Sequence, residues 1–200
     1  MMKRLVLASG NAGKLEELRS MLAGVSLQIK AQGECGVQDV PETGLTFVEN
    51  ALIKARHACV ITGFPALADD SGLIVDALGG APGLYSARYA GSPTDAAANN
   101  AKLLDRLRDV PAGRRCARFY AVIVLLRHAE DPQPLIAEGC WEGEIAFEPR
   151  GSGGFGYNPV FFDPLYGVTA AEMDAELKNQ ISHRARALEQ LRERLHKMMA

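Results

Sequence analysis

The chain has 200 residues, 48% of them hydrophobic and 23% charged, a composition typical of a globular protein able to bury a core. Its 22 Lys and Arg residues against 24 Asp and Glu residues give a formal net charge of −2. This charge balance provides no bulk attraction to nucleic acid or to an anionic membrane. An anionic ligand must therefore be held by a local cluster of positive charge.

The cysteines and the apolar runs exclude further classes. The thiols are widely spaced and lack CxxC spacing, so neither a zinc site nor a disulfide framework is indicated. They are Cys35, Cys59, Cys116 and Cys140. The first apolar run, residues 5–8, is too short for a signal peptide, and no later run approaches the about 18 residues of a membrane span. We therefore expect a cytoplasmic protein.

A glycine-containing loop, Ser9-Gly10-Asn11-Ala12-Gly13-Lys14, follows the first predicted strand, Lys3 to Ala8, and precedes a predicted helix. Asn11 can cap this helix, and free N–H groups at a helix N-terminus favour an anion. Lys14 adds a positive charge where the helix dipole disfavours it. The loop is not a Walker loop, because Ala8 and Leu15 break that pattern. It is a candidate phosphate site, and a plain strand-to-helix turn is the alternative.

A second helix is predicted from Thr46 to about Ile61. It opens with Thr46-Phe47-Val48-Glu49, a capping-box pattern that gives Glu49 a structural role. One face carries three polar residues, Asn50, Lys54 and His57, and such a face is usually solvated. Glu42 lies just upstream and can approach the carboxylates described next. A divalent metal is bound by such a cluster of oxygen ligands.

Two adjacent aspartates stand between two apolar runs, in Ala68-Asp69-Asp70-Ser71-Gly72. We interpret this segment as a strand that ends at the aspartates and carries a catalytic acid. Side chains alternate along a strand, so one carboxylate faces a site while the other supports it. The alternative is an acidic turn between two strands, because Asp, Ser and Gly favour turns.

The middle of the chain is interpreted as structural. Thr94 to Arg108 is predicted to be a helix with its leucines inward, and Asn99 and Asn100 are placed on the surface. Residues 118–126 and 135–147 are predicted to form an antiparallel hairpin. Trp141, in the second of these strands, is given a packing or interface role.

Gly151-Ser152-Gly153-Gly154-Phe155-Gly156 matches the GxGxxG dinucleotide pattern in its letters only, because no helix is predicted after it. A flexible loop carrying Phe155 and Tyr157 instead offers aromatic faces to a base. The alternative is a segment that faces the core, as we expect for Phe161 and Phe162.

The last predicted helix starts after Ser182 and has an apolar stripe of Leu188, Leu191 and Leu195. His183, Arg184 and Arg186 crowd its first turn, against the helix dipole. These groups either point into water or bind a ligand.

Taken together, these motifs resemble the inosine triphosphate pyrophosphatase family, the non-canonical purine NTP (dITP/XTP) pyrophosphatases, in their bacterial form. They occur in order over nearly the whole chain. The matching motifs are Ser9 to Lys14, Glu42-Thr43-Gly44 with Phe47 to Ala55, Ala68 to Leu73, Gly79 to Tyr89, Gly153 to Tyr157, Lys178, and Ser182-His183-Arg184.

The resemblance implies an α/β fold with a long mixed central β-sheet flanked by helices. Residues 1–200 would form a single domain of two lobes with a nucleotide cleft between them, and the protein would be a homodimer. The implied reaction is hydrolysis of ITP, dITP or XTP to the monophosphate and pyrophosphate. This activity cleanses the nucleotide pool, so that deaminated purines are not incorporated into DNA or RNA.

The family motifs also imply roles for individual residues. Glu42 and Asp70 would hold Mg²⁺, Asp70 would orient or deprotonate water, and Lys14 and Lys54 would cradle the phosphates. Side chains alternate along the strand, so the two aspartates would not point the same way, and Asp69 would be a supporting carboxylate. The other substrate-binding residues would be Ser9, Gly10, Asn11, Ala12 and Gly13 of the phosphate loop, Ser71, and Lys178, which would help to hold the nucleotide. The base pocket would be formed by Phe155, Gly156, Tyr157, Asn158, His183 and Arg184.

Within that set, His183 and Arg184 would read the 6-keto group of the purine. Asn158 departs from the family pattern, which commonly has aspartate there, and it replaces a charge with an amide donor. A function from another class, a nucleotide-binding module without catalysis, would not require Glu42 and Asp70 to come together.

Overall fold

The computed structural model describes residues 4–22 and 28–199, and for residue 21 and residues 195–199 it describes the backbone alone. These described residues form seven strands and five α-helices. The strands are β1 (Arg4–Leu7), β2 (Gln28–Ala31), β3 (Ala66–Val75), β4 (Cys116–Leu126), β5 (Leu135–Ile145), β6 (Phe161–Asp163) and β7 (Val168–Thr169). The helices are α1 (Ala12–Met21), α2 (Phe47–Thr62), α3 (Ala96–Arg106), α4 (Ala175–Ile181) and α5 (His183–Met199).

The strands form one mixed sheet in the order β2-β1-β3-β4-β5-β6-β7. β1 pairs in parallel with β2 and β3, whereas β6 pairs antiparallel with β5 and β7. The predicted α/β class with a mixed sheet is therefore confirmed. Strand β2 was not predicted, because it has only four residues and two of them are polar.

The chain divides into two compact units. Unit 1 comprises Met1–Asp70, Ala121–Gly139 and Arg184–Ala200, and unit 2 comprises Ser71–Tyr120 and Cys140–His183. The division falls inside β3, β4 and β5, so each of these strands contributes residues to both units.

Each unit has its own hydrophobic core. In unit 1 the leucines of β1 and α1 pack with those of α5, and Leu5, Leu7, Leu18, Leu67, Ile123 and Leu191 are buried there. In unit 2 the core contains Leu73, Leu103, Phe119, Trp141, Ile145 and Phe161. Trp141 packs against two aromatic rings and donates its indole N–H to an Asp163 carboxylate oxygen at 2.7 Å. Its predicted packing role is confirmed, and the alternation of buried residues along the strands accounts for it.

The predicted helix starts are confirmed by their caps. Asn11 Oδ1 accepts a hydrogen bond from the Lys14 N–H at 3.1 Å and caps α1. Thr46 Oγ1 accepts from the Glu49 N–H at 3.3 Å, and the Thr46 hydroxyl donates to Glu49 Oε2 at 2.8 Å. Both ends of this capping box lie within four residues, so the sequence alone determines it.

The two aspartates do not end a strand, and this prediction is wrong. β3 continues from Ala66 to Val75 through Asp69, Asp70, Ser71 and Gly72, and the alternative of an acidic turn is wrong as well. Carboxylates favour a turn when they need water to solvate their charge. Here cationic side chains solvate both of them instead, so the strand can remain buried.

Asn99 and Asn100 are not surface residues, which corrects a second prediction. Only 4% of Asn99 and 7% of Asn100 are exposed. Asn99 bonds to the backbone on three sides, accepting from the Ala90 N–H and donating to the Ala87 and Ser86 carbonyls. A side-chain amide can form the hydrogen bonds that the backbone of a loop would otherwise form with water. The local sequence around Asn99 does not show that residues 86–90 pack against it.

Several smaller predictions can be compared with the fold. The segment after Gly151 forms turns rather than a helix, as the rejection of a dinucleotide loop requires. The four cysteines are unpaired. Phe161 is buried and Phe162 is half-buried. Lys3 and the side chain of Leu195 lie outside the described residues. Among the described helices, none is both long and apolar enough to cross a membrane.

Candidate active site

The ammonium group of Lys54 joins the two carboxylates that the sequence singled out. Lys54 lies on α2, and its Nζ donates to Glu42 Oε1 at 2.9 Å, Asp70 Oδ1 at 2.8 Å and the Asp69 carbonyl oxygen at 2.8 Å. Only 13% of the Lys54 side chain is exposed. All of these residues belong to unit 1. Glu42 and Asp70 both contact one ammonium group, so Glu42 does come close to the aspartates as predicted.

A tight turn before α2 places Glu42 there. The Gly44 N–H donates to Asn50 Oδ1 at 2.8 Å, and a Cβ on Gly44 would lie 2.5 Å from the Cβ of Glu49. Only glycine permits this approach of the turn to the helix. Asn50 is 2% exposed, so the face it shares with Lys54 is not solvated as expected, because the turn covers it.

Asp69 has different partners from Asp70. Its Oδ2 pairs with Lys14 Nζ at 2.9 Å, and its Oδ1 accepts from Arg184 Nε at 3.4 Å. Arg184 also pairs with Glu17 of α1. We call Lys14, Glu42, Lys54, Asp69, Asp70 and Arg184 the charged cluster of unit 1.

The two aspartates also differ in acidity. Burial raises the pKa of Asp69, but the charges of Lys14 and Arg184 outweigh this effect and hold its pKa well below the usual range. Burial raises the pKa of Asp70 above its ordinary value in spite of the nearby Lys54 and Lys14 charges. Asp69 is therefore a firmly ionised structural anion, and Asp70 is the better proton acceptor.

The same contacts explain the lysine at the start of α1. Ser9 and Gly10 follow β1, Ala12 begins the helix, and Lys14 lies in the first turn, where the helix dipole disfavours a cation. The ion pair with the buried Asp69 carboxylate offsets that cost.

The second group of predicted site residues lies in unit 2. The Tyr157 hydroxyl donates to the Ser86 carbonyl at 2.8 Å, and Asn100 Nδ2 donates to the Gly156 carbonyl at 3.1 Å. Ser86 Oγ in turn accepts from the Leu73 N–H at 2.9 Å. We call Ser86, Asn99, Asn100 and Tyr157, with these backbone partners, the neutral network of unit 2.

Asn158 and Lys178 lie against the same loop. In the amide orientation that suits its neighbours, Asn158 Oδ1 accepts from the Phe155 N–H and from Lys178 Nζ, both at 3.2 Å. A Cβ on Gly154 would lie 2.9 Å from Lys178 Nζ, and its φ of +73° also favours glycine. The half-buried ring of Phe155 has Lys178 Nζ 6.0 Å from its centroid.

The predicted base-binding residues have different surroundings. Tyr157 is 5% exposed and its hydroxyl is engaged in a hydrogen bond, so Phe155 is the more accessible aromatic residue. His183 is buried and stacks on Phe119 with ring centroids 4.9 Å apart. Arg184, the next residue, belongs to the charged cluster of unit 1.

Sequence reasoning did not identify the roles of Glu17 and Ser86 or the burial of Asn99 and Asn100. Glu17 had a weak signal, because it lies one helical turn after Lys14 and on the same side of α1. Ser86 had no local signal of its own, since its partners are Leu73 and Tyr157, which are distant in the chain.

The chemical capacity of unit 1 follows from its donors. Among the described residues, no group of three or more His, Cys, Asp or Glu side chains could hold a metal ion. Glu42 and Asp70 supply two carboxylates, and Mg²⁺ is commonly held by one or two carboxylates together with waters and substrate phosphates. The donor set therefore fits a cation that is shared with a phosphate substrate.

Comparison with known proteins gives consistent results. Residues 5–194 match the model of the Ham1 family. The chain is 88% identical over 199 residues to a dITP/XTP pyrophosphatase of Xylella fastidiosa, and all of both chains is covered. It also resembles the solved structure of a HAM1 protein from Coxiella burnetii, with 51% identity and a TM-score of 0.90, covering 98% of this chain and 100% of that one. The Staphylococcus aureus Ham1 protein has 38% identity, a TM-score of 0.86 and the same coverage.

Proposed function

Because the chain belongs to the Ham1 family, we propose that it hydrolyses non-canonical purine nucleoside triphosphates, namely ITP, dITP and XTP, to the monophosphate and pyrophosphate. The resemblance found in the sequence is thereby confirmed. A relative named dITP/XTP pyrophosphatase covers the full chain at 88% identity, which supports this activity. The enzyme is a nucleoside-triphosphate pyrophosphatase that removes deaminated purines from the pool used for DNA and RNA synthesis.

The observation that carries this proposal is the convergence of Glu42 and Asp70 on one ammonium group. Phosphoryl chemistry needs positive charge beside the phosphates and a positioned nucleophile. Lys14 and Lys54 supply positive charge, and Asp70, whose pKa is raised by burial, can accept a proton from water. A binding module without catalysis would not require this arrangement.

We assign the phosphates to the loop Ser9 to Lys14, with Lys54 and Ser71. The N–H groups at the start of α1 favour an anion there. Asp69 acts as a positioning residue, because its carboxylate holds Lys14 at 2.9 Å. Asp70 is the group that orients or deprotonates water.

Glu42 and Asp70 would hold the divalent cation, which we propose to be Mg²⁺. When bound, such an ion neutralises phosphate charge and polarises the phosphorus–oxygen bonds. Two carboxylates would leave the remaining ligands to phosphate oxygens and water, as is common for Mg²⁺ in proteins.

We assign the purine to Phe155, Gly156, Tyr157 and Asn158, with Lys178, His183 and Arg184. Phe155 offers a face for stacking, which can favour base binding by about 1 to 3 kcal/mol. His183 and Arg184 would donate to the 6-keto oxygen, and Lys178 would help to hold the nucleotide. The amide of Asn158 replaces the common aspartate, and it accepts from Lys178 in this protein.

We further propose that the two compact units are lobes of a single pyrophosphatase domain, since three strands contribute to both. The protein is proposed to be a homodimer that acts on cytoplasmic nucleotides and binds neither nucleic acid nor membrane. The net charge of −2 is consistent with small-molecule substrates. Light scattering of the purified chain tests the dimer.

Product analysis tests the reaction. The protein is incubated with ITP and Mg²⁺, and the products are separated. Monophosphate with pyrophosphate is the expected result. Diphosphate with orthophosphate indicates another phosphohydrolase, and binding of ITP without turnover indicates a binding module.

Base selectivity is the finer test. Sites that select by hydrogen bonding can reject the wrong partner by about 10⁴-fold. We expect kcat/KM for ITP or dITP to exceed that for ATP at least about 100-fold, or roughly 2.7 kcal/mol. We expect Arg184→Ala to lose part of this preference. Equal rates for ITP and ATP, or an undiminished preference in the variant, would contradict the assignment of the base.

A further inference from the structure

The ammonium group of Lys54 has no hydrogen-bond donor left for a phosphate in this structure. An ammonium has three N–H donors. Its three acceptors, Glu42 Oε1, the Asp69 carbonyl and Asp70 Oδ1, are all within 2.9 Å. Lys54 must therefore give up at least one of these contacts before it can donate to a substrate.

Lys14 is in a different position. Within the described residues, the one acceptor that its ammonium contacts is Asp69 Oδ2, at 2.9 Å. Two of its donors are thus available without breaking that ion pair. A phosphate can bind to Lys14 directly, whereas Lys54 has to exchange its partners.

We propose that Lys54 and a divalent cation compete for the carboxylates of Glu42 and Asp70. The protein alone then binds the cation weakly, and it takes the cation up only together with the triphosphate. This inference rests on the proposed function, which assigns both carboxylates to the cation and Lys54 to the phosphates.

Charge and burial support the exchange. A cation that reaches both carboxylates must come close to the ammonium that already bridges them, and like charges repel strongly where burial limits screening. Lys54 cannot simply turn into water, because only 13% of its side chain is exposed. The triphosphate supplies the oxygens that replace its lost acceptors, so the two ligands favour each other's binding.

The experiment measures Mn²⁺ binding to the full chain without nucleotide, by the loss of the free Mn²⁺ electron paramagnetic resonance signal. Lys54→Met removes the competing charge, and Lys54→Arg keeps it. Arg56→Gln is the matched control, because Arg56 is exposed on the same helix and two positions away, which places it on another face. It removes the same charge as Lys54→Met.

We expect Lys54→Met to lower the Mn²⁺ dissociation constant at least about 10-fold. Lys54→Arg and Arg56→Gln should change it by less than about threefold. Adding Glu42→Gln to Lys54→Met should abolish the gain. Thermal melts establish that the variants are folded, and Lys54→Gln replaces Lys54→Met if the latter is not.

An unchanged Mn²⁺ affinity in the folded neutral variant would overturn the proposal. An equal gain in Arg56→Gln would overturn it too, because the effect would then be one of net charge. No nucleotide is present in the titration, so its result is separate from the ITP test. Failure of ITP hydrolysis would reject the proposed function while the competition for the carboxylates could still be observed.

Discussion

The charged cluster of unit 1 and the neutral network of unit 2 both pair buried polar groups, but the first does so with charges and the second with neutral hydrogen bonds. In both, a buried polar group is satisfied by partners far away in the sequence. Asp69 is satisfied by the charges of Lys14 and Arg184, whereas Ser86 is satisfied by backbone groups and the hydroxyl of Tyr157.

The difference predicts how each region responds to substitution. Removing one member of a buried ion pair leaves the opposite charge without compensation, at a cost of about 3 to 5 kcal/mol. Removing one neutral hydrogen bond costs about 1 kcal/mol. The charged cluster of unit 1 should therefore be sensitive to charge and pH, and the neutral network of unit 2 should lose less stability when one hydrogen bond is removed.

The largest expected effect is on the chemical step. Asp70→Asn removes the proton acceptor, and we expect kcat for ITP to fall at least about 100-fold, with KM changing less. Asp69→Asn should lower kcat by less, because Asp69 acts through the Lys14 ammonium that it positions. Steady-state kinetics of both variants decide this, and a reversed order would exchange the two roles.

The second effect is on stability, where the order of the aspartates reverses. Asp69→Asn leaves the half-buried Lys14 and the buried Arg184 without their shared anion, so the free energy of unfolding should fall by about 3 kcal/mol. Asp70→Asn should change it by no more than about 1 kcal/mol, since burial already opposes ionisation there. Urea unfolding at pH 7 measures both. Equal losses of unfolding free energy in the two variants would contradict the assignment of Asp69 as the structural anion.

The third effect is the pH dependence of the Asp69 contribution. The pKa of Asp69 is lowered on folding, so its stabilisation is present above the unfolded value of about 4 and is lost as the pH falls toward the folded value. The difference in unfolding free energy between wild type and Asp69→Asn should be constant from pH 7 to 5 and shrink below about pH 4. If this difference in unfolding free energy is undiminished at pH 3, it results from packing and not from the charge of Asp69.

The smallest effect is in the neutral network. Tyr157→Phe deletes the hydroxyl that donates to the Ser86 carbonyl, so the protein should lose about 1 kcal/mol of stability. Tyr85→Phe is the control, since 62% of Tyr85 is exposed, and it should be neutral. A loss of stability above about 3 kcal/mol in the Tyr157 variant would contradict this prediction, because the neutral network would then be as sensitive to substitution as the charged cluster.

The sequence by itself determined the features that depend on neighbours in the chain. Asn11 and Thr46 cap their helices through partners three residues away, and the spacing of leucines along α3 and α5 identifies the buried faces. The family motifs also indicated Glu42 and Asp70 as one cluster. The inferences about caps and buried helix faces hold because capping and helical periodicity are local.

Only the tertiary structure decided which polar groups are buried and with whom they pair. Arg184 contacts Glu17, which is 167 residues earlier, and Asn100 contacts Gly156, which is 56 residues later. For the same reason, β3 continues through two aspartates that would end it in isolation. Whether a carboxylate or an amide needs water depends on the partners that folding brings to it, and the local sequence does not contain them.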